Sequence, residues 1–355
     1  MGVEAYLNGI FPRSDLALEA GSSWLKGRET KENFYRILEK ETKEIIELQQ
    51  DLGFNYIIDG QLFWDDFLRP IASALGLNRE KSNADENPVT RQIYTNTFYR
   101  KPFISGRLND FNKGINKEIE PARLINTIQK GKRKAILPSP FALVYLSDGI
   151  HWNEKGMLEE DIFVELLFDA AKILNQEAKR LEKDFDVSFV QFNDPCMAYA
   201  EESKFFWDDI ARALQIAINS RNVITSLHLY NGDASKFLPD LPELPVDRIG
   251  IDPYTTNLRN FVDIGFKKFL EIGIINSKNS LIEKPETIVN YTHQIIEKIN
   301  PNGLALVPNR PLELVPREIA IKKMESLAKA VQILKEKARI INNQLNVTKS
   351  ENDNK

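Results

Sequence analysis

The run Val223-Ile224-Thr225-Ser226-Leu227-His228-Leu229-Tyr230-Asn231-Gly232-Asp233 carries the reading of the fold. It opens on β-branched residues, stays largely apolar, and ends in a turn signal, so it reads as a strand running into a loop. Its polar end holds His228, one of only 3 histidines in the chain. Segments on both sides have the same form. Upstream, Val3 to Ile10 is broken by Phe11-Pro12-Arg13, and Tyr56 to Gly60 leads into Gln61-Leu62-Phe63-Trp64-Asp65-Asp66. Ala135-Ile136-Leu137 ends at Pro138-Ser139-Pro140, and Asp186 to Phe192 is tipped by Asn193-Asp194-Pro195-Cys196. Downstream, Arg248 to Ile251 is tipped by Asp252-Pro253, Phe269 to Ile275 by Asn276-Ser277, and Leu304 to Val307 by Pro308-Asn309-Arg310-Pro311.

Helical periodicity fills the gaps. Phe34, Leu38, Ile45, Leu48 and Leu52 predict a helix over Glu32–Leu52, stopped by Gly53. Further helices are expected over Glu159–Leu181, Lys204–Asn219, Glu286–Ile299 and Arg317 to about Asn343, with another near Ala122–Gln129. Short, near-continuous apolar strands alternating with helices argue for parallel strands covered by helices. The expected class is α/β, a single (β/α)8 TIM barrel with a hairpin insertion near residues 80–105. Arg79 to Pro88, charged and Asn-rich, is its most exposed part in this reading. A doubly wound open sheet is the runner-up, but no Gly-rich phosphate loop follows the first strand. The barrel is assigned to residues 1–346 and a disordered polar tail to 347–355.

Composition narrows the class. The chain has 355 residues, 42% apolar and 28% charged, which allows a large core. A formal charge of −4, with cations widely spread, gives no footprint for nucleic acid. The single cysteine, Cys196, excludes an internal disulfide and any Cys-rich zinc site, and suits a reducing compartment. No run approaches a membrane span, and Met1 to Gly9 lacks the form of a signal peptide, so a cytoplasmic protein is expected.

In a barrel, function gathers at the carboxyl ends of the strands. There the sequence places Asn8, Gln61, Trp64, Asp66, Ser139, Asn193, Asp194, His228, Tyr230, Asp252, Asn276 and Asn309. Each has a plainer reading. His228 is more often a hydrogen-bonded core or rim histidine than a ligand. Asp194-Pro195 and Asp252-Pro253 serve equally well as turn starters. Trp64 packs as readily as it stacks, and Cys196 reads as a small buried hydrophobe. His151 has no partner at ligand spacing.

Several motifs carry a resemblance. Phe11-Pro12-Arg13, Gly60-Gln61-Leu62-Phe63-Trp64-Asp65-Asp66, Thr95-Asn96-Thr97-Phe98-Tyr99, Phe189-Val190-Gln191-Phe192-Asn193-Asp194-Pro195, Gly273-Ile274-Ile275-Asn276-Ser277-Lys278-Asn279 and Leu312-Glu313-Leu314-Val315-Pro316 fall in one order along most of the chain. Together they resemble the cobalamin-independent methionine synthase family, and its N-terminal, non-zinc barrel most closely. The resemblance implies methyl transfer to homocysteine in methionine biosynthesis. In the family's catalytic barrel, zinc is held by a His-x-Cys pair, a glutamate and a distant cysteine. Here His228 keeps the histidine position, Tyr230 stands for the first cysteine, Asp252 near the glutamate, and Arg310 near the second cysteine. With both thiolates absent, a catalytic zinc site is not expected in this chain.

The resemblance therefore implies a methyltransferase-family barrel with a degenerate zinc site. It would bind a small methyl carrier, a reduced pterin of the methylfolate kind or a corrinoid, as partner of a separate zinc-bearing barrel. A self-sufficient methyltransferase with another acceptor, using His228, Tyr230, Asp194 and Asp252 as acids and bases, is the alternative, and a non-catalytic structural partner is a third. The family's lysine-rich stretch that meets a folate's glutamate tail is here Ser14-Asp15-Leu16-Ala17-Leu18-Glu19. A carrier without a long polyglutamate tail is the expectation.

Overall fold

The computed structural model describes residues 2–77, 89–91, 98–108, 125–219 and 222–352. Its strands, in chain order, are β1 (Val3–Ala5), β2 (Val89–Arg91), β3 (Phe98–Arg100), β4 (Phe103–Ile104), β5 (Lys134–Pro138), β6 (Asp148–Gly149), β7 (Phe189–Asp194), β8 (Ile224–Leu229), β9 (Arg248–Ile251), β10 (Phe269–Ile275) and β11 (Gly303–Pro308). Seven of them form one sheet in the order β1-β11-β10-β9-β8-β7-β5, every pairing parallel.

The segment around Ile57 closes this sheet on itself. Ile57 bridges Arg133 in parallel, its N–H donating to Lys132 O at 2.8 Å and its carbonyl accepting from Lys134 N at 3.0 Å. On its other side, Asn55 N donates to Ala5 O at 2.9 Å and Asn55 Oδ1 accepts from Ala5 N at 3.0 Å. An eighth stave thus stands between β1 and β5, and the sheet is a (β/α)8 barrel rather than an open doubly wound sheet. The stretch expected as a strand over residues 56–60 is held by bridge contacts at Ile57 alone, because Gly60 (φ +75) and Gln61 (φ +51) turn left-handed directly after it.

The helices form where periodicity and caps coincide. Thr30 Oγ1 accepts from Asn33 N at 3.1 Å to start the helix Lys31–Asp51, and Gly53, at φ +70, follows its end. Phe34, Leu38, Ile45 and Ile46 turn one face of that helix onto the sheet. The helix Glu160–Phe185 buries Phe163, Leu166, Leu167, Ala170 and Leu174 in the same way. These faces and the outer faces of the strands make one continuous apolar core.

Between the second and third staves, β2 pairs antiparallel with β3, the expected hairpin, and β4 pairs in parallel with β6. The exposed stretch expected over residues 79–88 lies outside the described residues, as do Thr95 to Thr97 and the first residues of the helix expected near 122–129; of its described part, 125–129, only Ile125 is helical and the chain then turns. The last helix runs Arg317–Asn352, past residue 347, where the polar tail was expected to begin. Among the described residues no helix is long and apolar enough to cross a membrane.

The barrel's amino-terminal end is closed by aromatic rings and charges. Tyr6, Tyr56 and Phe189 meet edge to face, with centroids 5.0–5.6 Å apart. Lys134 Nζ lies 3.9 Å from the Tyr6 centroid and donates to Leu7 O at 2.9 Å. Arg248 stacks 3.9 Å over Phe269, pairs with Glu4, and donates to Tyr6 Oη at 3.0 Å. Tyr6 Oη in turn donates to Glu271 Oε1 at 2.9 Å.

Candidate functional site

The opposite end gathers the polar strand tips. His228, near the end of β8, is fully buried. Its Nε2 lies 3.0 Å from Asn309 O and 3.1 Å from Asn8 Nδ2, and its Nδ1 lies 3.7 Å from Glu271 Oε2. Gly250 on β9 makes the room for this ring: a Cβ there would stand 2.0 Å from His228 Nδ1 and 2.9 Å from Glu271 Oε2. Glu271 stays below the usual carboxylate range. Burial alone would raise it, but the His228 ring beside it and the charges of Lys134 and Arg248 outweigh burial.

The asparagines tie strand ends together. Asn193 donates to Asn8 O at 2.7 Å and accepts from Gln191 Nε2 at 2.5 Å. Asn309 Oδ1 accepts from Ser277 N at 2.9 Å and Ser277 Oγ at 3.0 Å, so it joins β10 to β11, while its Nδ2 is buried without a partner among the described residues. Asn276 sits at the rim. Its Oδ1 accepts from Lys278 N, and its own N–H donates to Glu283, itself paired with Lys323.

Asp194 is buried and its oxygens are fully used. Oδ1 accepts from Cys196 N at 3.0 Å and Met197 N at 2.6 Å, and Oδ2 accepts from Ser139 Oγ. These contacts are those of a turn. Burial pushes the Asp194 carboxyl up, and burial with Asp194 beside it pushes the Cys196 thiol up, away from a reactive thiolate. Asp66 holds the turn that leads into the helix Arg69–Ala74, accepting from Leu68 N at 3.0 Å and Arg69 N at 2.8 Å. Gln61, in its left-handed turn, donates to Ile136 O at 3.2 Å. Arg13 pins the same loop through Leu62 O at 2.8 Å and Trp64 O at 3.1 Å. Trp64 is buried, and its Nε1 has no partner among the described residues.

Tyr230, Asp252 and Arg310 form a second group beside His228. The Tyr230 and His228 ring centroids are 5.9 Å apart, and Arg310 Cζ lies 5.7 Å from the Tyr230 centroid. Burial pushes the Tyr230 hydroxyl up. Asp252 Oδ1 accepts from Tyr254 N at 2.9 Å, while Oδ2 is buried and unpartnered among the described residues. Glu313, close by, is pushed up to about 7 by burial and by Asp66, against the pull of Arg310.

Sequence reasoning assigned no role to Lys134, Arg248, Glu271 or Ser277. A charge inside an apolar strand run is the signal that marks Glu271, since alternate residues of a barrel strand face inward. Lys134 and Arg248 stand at the first positions of their strands, where a charge reads equally well as solvent-facing.

Closed barrel, plugged floor and polar mouth define a TIM-barrel protein with its candidate site at the carboxyl ends of the strands. The model for the cobalamin-independent synthase N-terminal domain matches residues 72–300, and the chain belongs to this family. It is 23% identical to the methionine synthase of Sulfolobus acidocaldarius over 335 residues, 93% of this chain and 92% of that one. It is likewise 23% identical to a Saccharolobus islandicus methionine synthase over 337 residues, 93% of this chain and 94% of that one. A B12-independent methionine synthase from a Shewanella species, solved with selenomethionine, superposes with a TM-score of 0.72 at 17% identity, covering 88% of this chain and 92% of that one. A putative B12-independent methionine synthase from Listeria monocytogenes superposes at 0.66 and 15%, covering 94% and 99%. At these identities the solved structures show the fold alone.

The residues that the resemblance sets at the zinc positions do not fit the metal. Both His228 nitrogens face protein oxygens, Tyr230 is a buried phenol, and Arg310 brings a buried cation. Among the described residues no group of three or more His, Cys, Asp or Glu is placed to hold a metal ion.

Proposed function

We propose that this chain is a cytoplasmic protein acting in methyl transfer to homocysteine, as the barrel that binds and orients the methyl carrier for a separate zinc-bearing barrel. The observation that carries this reading is the fate of His228. It keeps the metal-ligand position of the family, yet its Nε2 is engaged by Asn309 O at 3.0 Å and its Nδ1 faces the buried Glu271 carboxylate 3.7 Å away. The carrier is a small reduced pterin of the methylfolate kind or a corrinoid. Its pocket is lined by Trp64, Asp66, Asn193, Asp194, Asn276 and Asn309. Trp64 Nε1 and Asn309 Nδ2 are unpartnered buried donors that a pterin's ring nitrogens and carbonyl would satisfy. Holding the carrier still against its acceptor supplies rate by positioning, with no covalent step in this chain.

The test is metal content together with methionine formation from methyl donor and homocysteine, with and without the zinc barrel of the same organism. No bound zinc, no turnover alone, and turnover on mixing are expected. About one zinc per chain with turnover by this chain alone would overturn the reading. A second reading, an enzyme complete in itself with another thiol or amine acceptor, is favoured by Glu313. Pushed up to about 7 by burial and by Asp66, with Arg310 nearby, it can exchange a proton at neutral pH. Turnover without the partner on such an acceptor would select it.

A further inference from the structure

Arg310 follows β11 at the mouth and is 2% exposed. Its Nε and Nη2 have no hydrogen-bond partner among the described residues. Other buried arginines are matched. Arg133 donates to Ile128 O at 3.0 Å and Phe185 O at 2.7 Å, and Arg248 has Glu4 and Tyr6. A guanidinium stays charged in a protein, so burying one with unmatched donors is unfavourable until something binds them. Nε and Nη2 lie on one edge of the guanidinium plane, the edge that meets both oxygens of a carboxylate side by side. The groups that feel its charge are Tyr230, Asp252, Glu313 and Lys278. Asp252 Oδ2 is the unpartnered buried acceptor of that set.

We propose that Arg310 is the receptor for a carboxylate of a small ligand, its Nε–H and Nη2–H donating to the two carboxylate oxygens, with Asp252 Oδ2 accepting from an N–H of the same ligand. Two compounds of the methyl-transfer reading carry such a carboxylate: the amino-acid acceptor and the glutamyl group of a pterin carrier. The receptor rests on that reading only for the choice of probes.

The experiment follows the nitrogen-15 Nε–H signal of Arg310, assigned by its loss in Arg310→Lys. The wild-type chain is titrated with L-homocysteine and with its decarboxylated amine, then with methyltetrahydrofolate and with the methylated pterin lacking the glutamyl group. The signal is expected to move with the carboxylated member of one pair and not with its counterpart. The responding pair identifies the source of the carboxylate. Arg310→Lys should weaken that ligand by about 10- to 100-fold. Arg310→Met should abolish its binding while raising Tm by about 1–3 °C, because an unmatched buried charge is removed.

A signal that neither carboxylated compound moves, or equal affinity for the counterpart lacking the carboxylate, would overturn the proposal. So would a fall in Tm with unchanged affinity in Arg310→Met, which would assign the residue to the fold alone. Carboxylate binding without methyl transfer in the presence of the zinc barrel would remove the proposed function and leave the receptor standing. Methyl transfer with an unmoved Arg310 signal would do the reverse.

Discussion

The two ends of the barrel bury similar chemistry to opposite effect. At the floor, Lys134, Arg248 and Tyr6 each have partners: a carbonyl, a carboxylate, a hydroxyl or an aromatic face. At the mouth, Arg310 Nε and Nη2, Trp64 Nε1, Asn309 Nδ2 and Asp252 Oδ2 are as deeply buried and unpartnered among the described residues. Satisfied buried charge makes a rigid plug, whereas unsatisfied polar groups are an unfavourable term that only a ligand offsets. His228 and Glu271 stand between the two ends and share both characters: Glu271 Oε1 accepts from Tyr6 and His228 Nε2 meets Asn309 O, while Glu271 Oε2 and His228 Nδ1 have no hydrogen bond among the described residues.

The comparison breaks first at Glu271. Glu271→Ala should destabilise the chain by about 3–5 kcal/mol in urea unfolding, because it leaves the buried charge of Lys134 without its nearby carboxylate and the Tyr6 hydroxyl without its acceptor. A loss under about 1 kcal/mol would mean the floor is not held by charge. Next is Gly250→Ala, whose Cβ would collide with the His228 ring, for an expected cost of about 1–3 kcal/mol. Restoration of stability in the double variant Gly250→Ala, His228→Ala would confirm the collision.

A pH series sharpens the contrast further. Burial brings Lys134 down to about 7. Its folded value lies below its unfolded value of about 10.4, so between those limits the unfolded chain binds more protons. This group's contribution should therefore grow as pH rises from about 7 toward 10, and Lys134→Met should flatten that slope. The smallest effect concerns the rim. Asp15 and Glu19 are exposed on the helix Asp15–Leu25, where a polyglutamate tail would meet like charge. Monoglutamyl methylfolate is expected to bind at least as tightly as the polyglutamyl form, by under about 1 kcal/mol, and Asp15→Lys to reverse the order. Tighter polyglutamate binding by the unaltered chain would remove this expectation.

Much of the barrel was legible because each strand is short, apolar and followed at once by polar turn residues. The expected bounds Arg248–Ile251 and Phe269–Ile275 coincide with β9 and β10. Tyr56–Gly60 was less legible, since its pairing depends on Lys132 and Lys134 far along the chain and on left-handed turns at Gly60 and Gln61. The site divides in the same way. That Asn193, Asp194, His228, Asp252, Asn276 and Asn309 share one end of the molecule follows from their places at strand tips. Which of their atoms are already engaged does not.

The sequence by itself determined the class of fold, the end of the barrel that carries the polar residues, and the absence of the thiolates that would hold zinc. These are matters of periodicity and composition, which are local or additive along the chain. Only the tertiary structure decided that Asp194 is consumed by a turn, that Glu271 rises from β10 to face His228, and that Arg310 is buried with its donors open. Hydrogen-bond saturation is a property of groups brought together across strands far apart in sequence, so no spacing along one strand can report it.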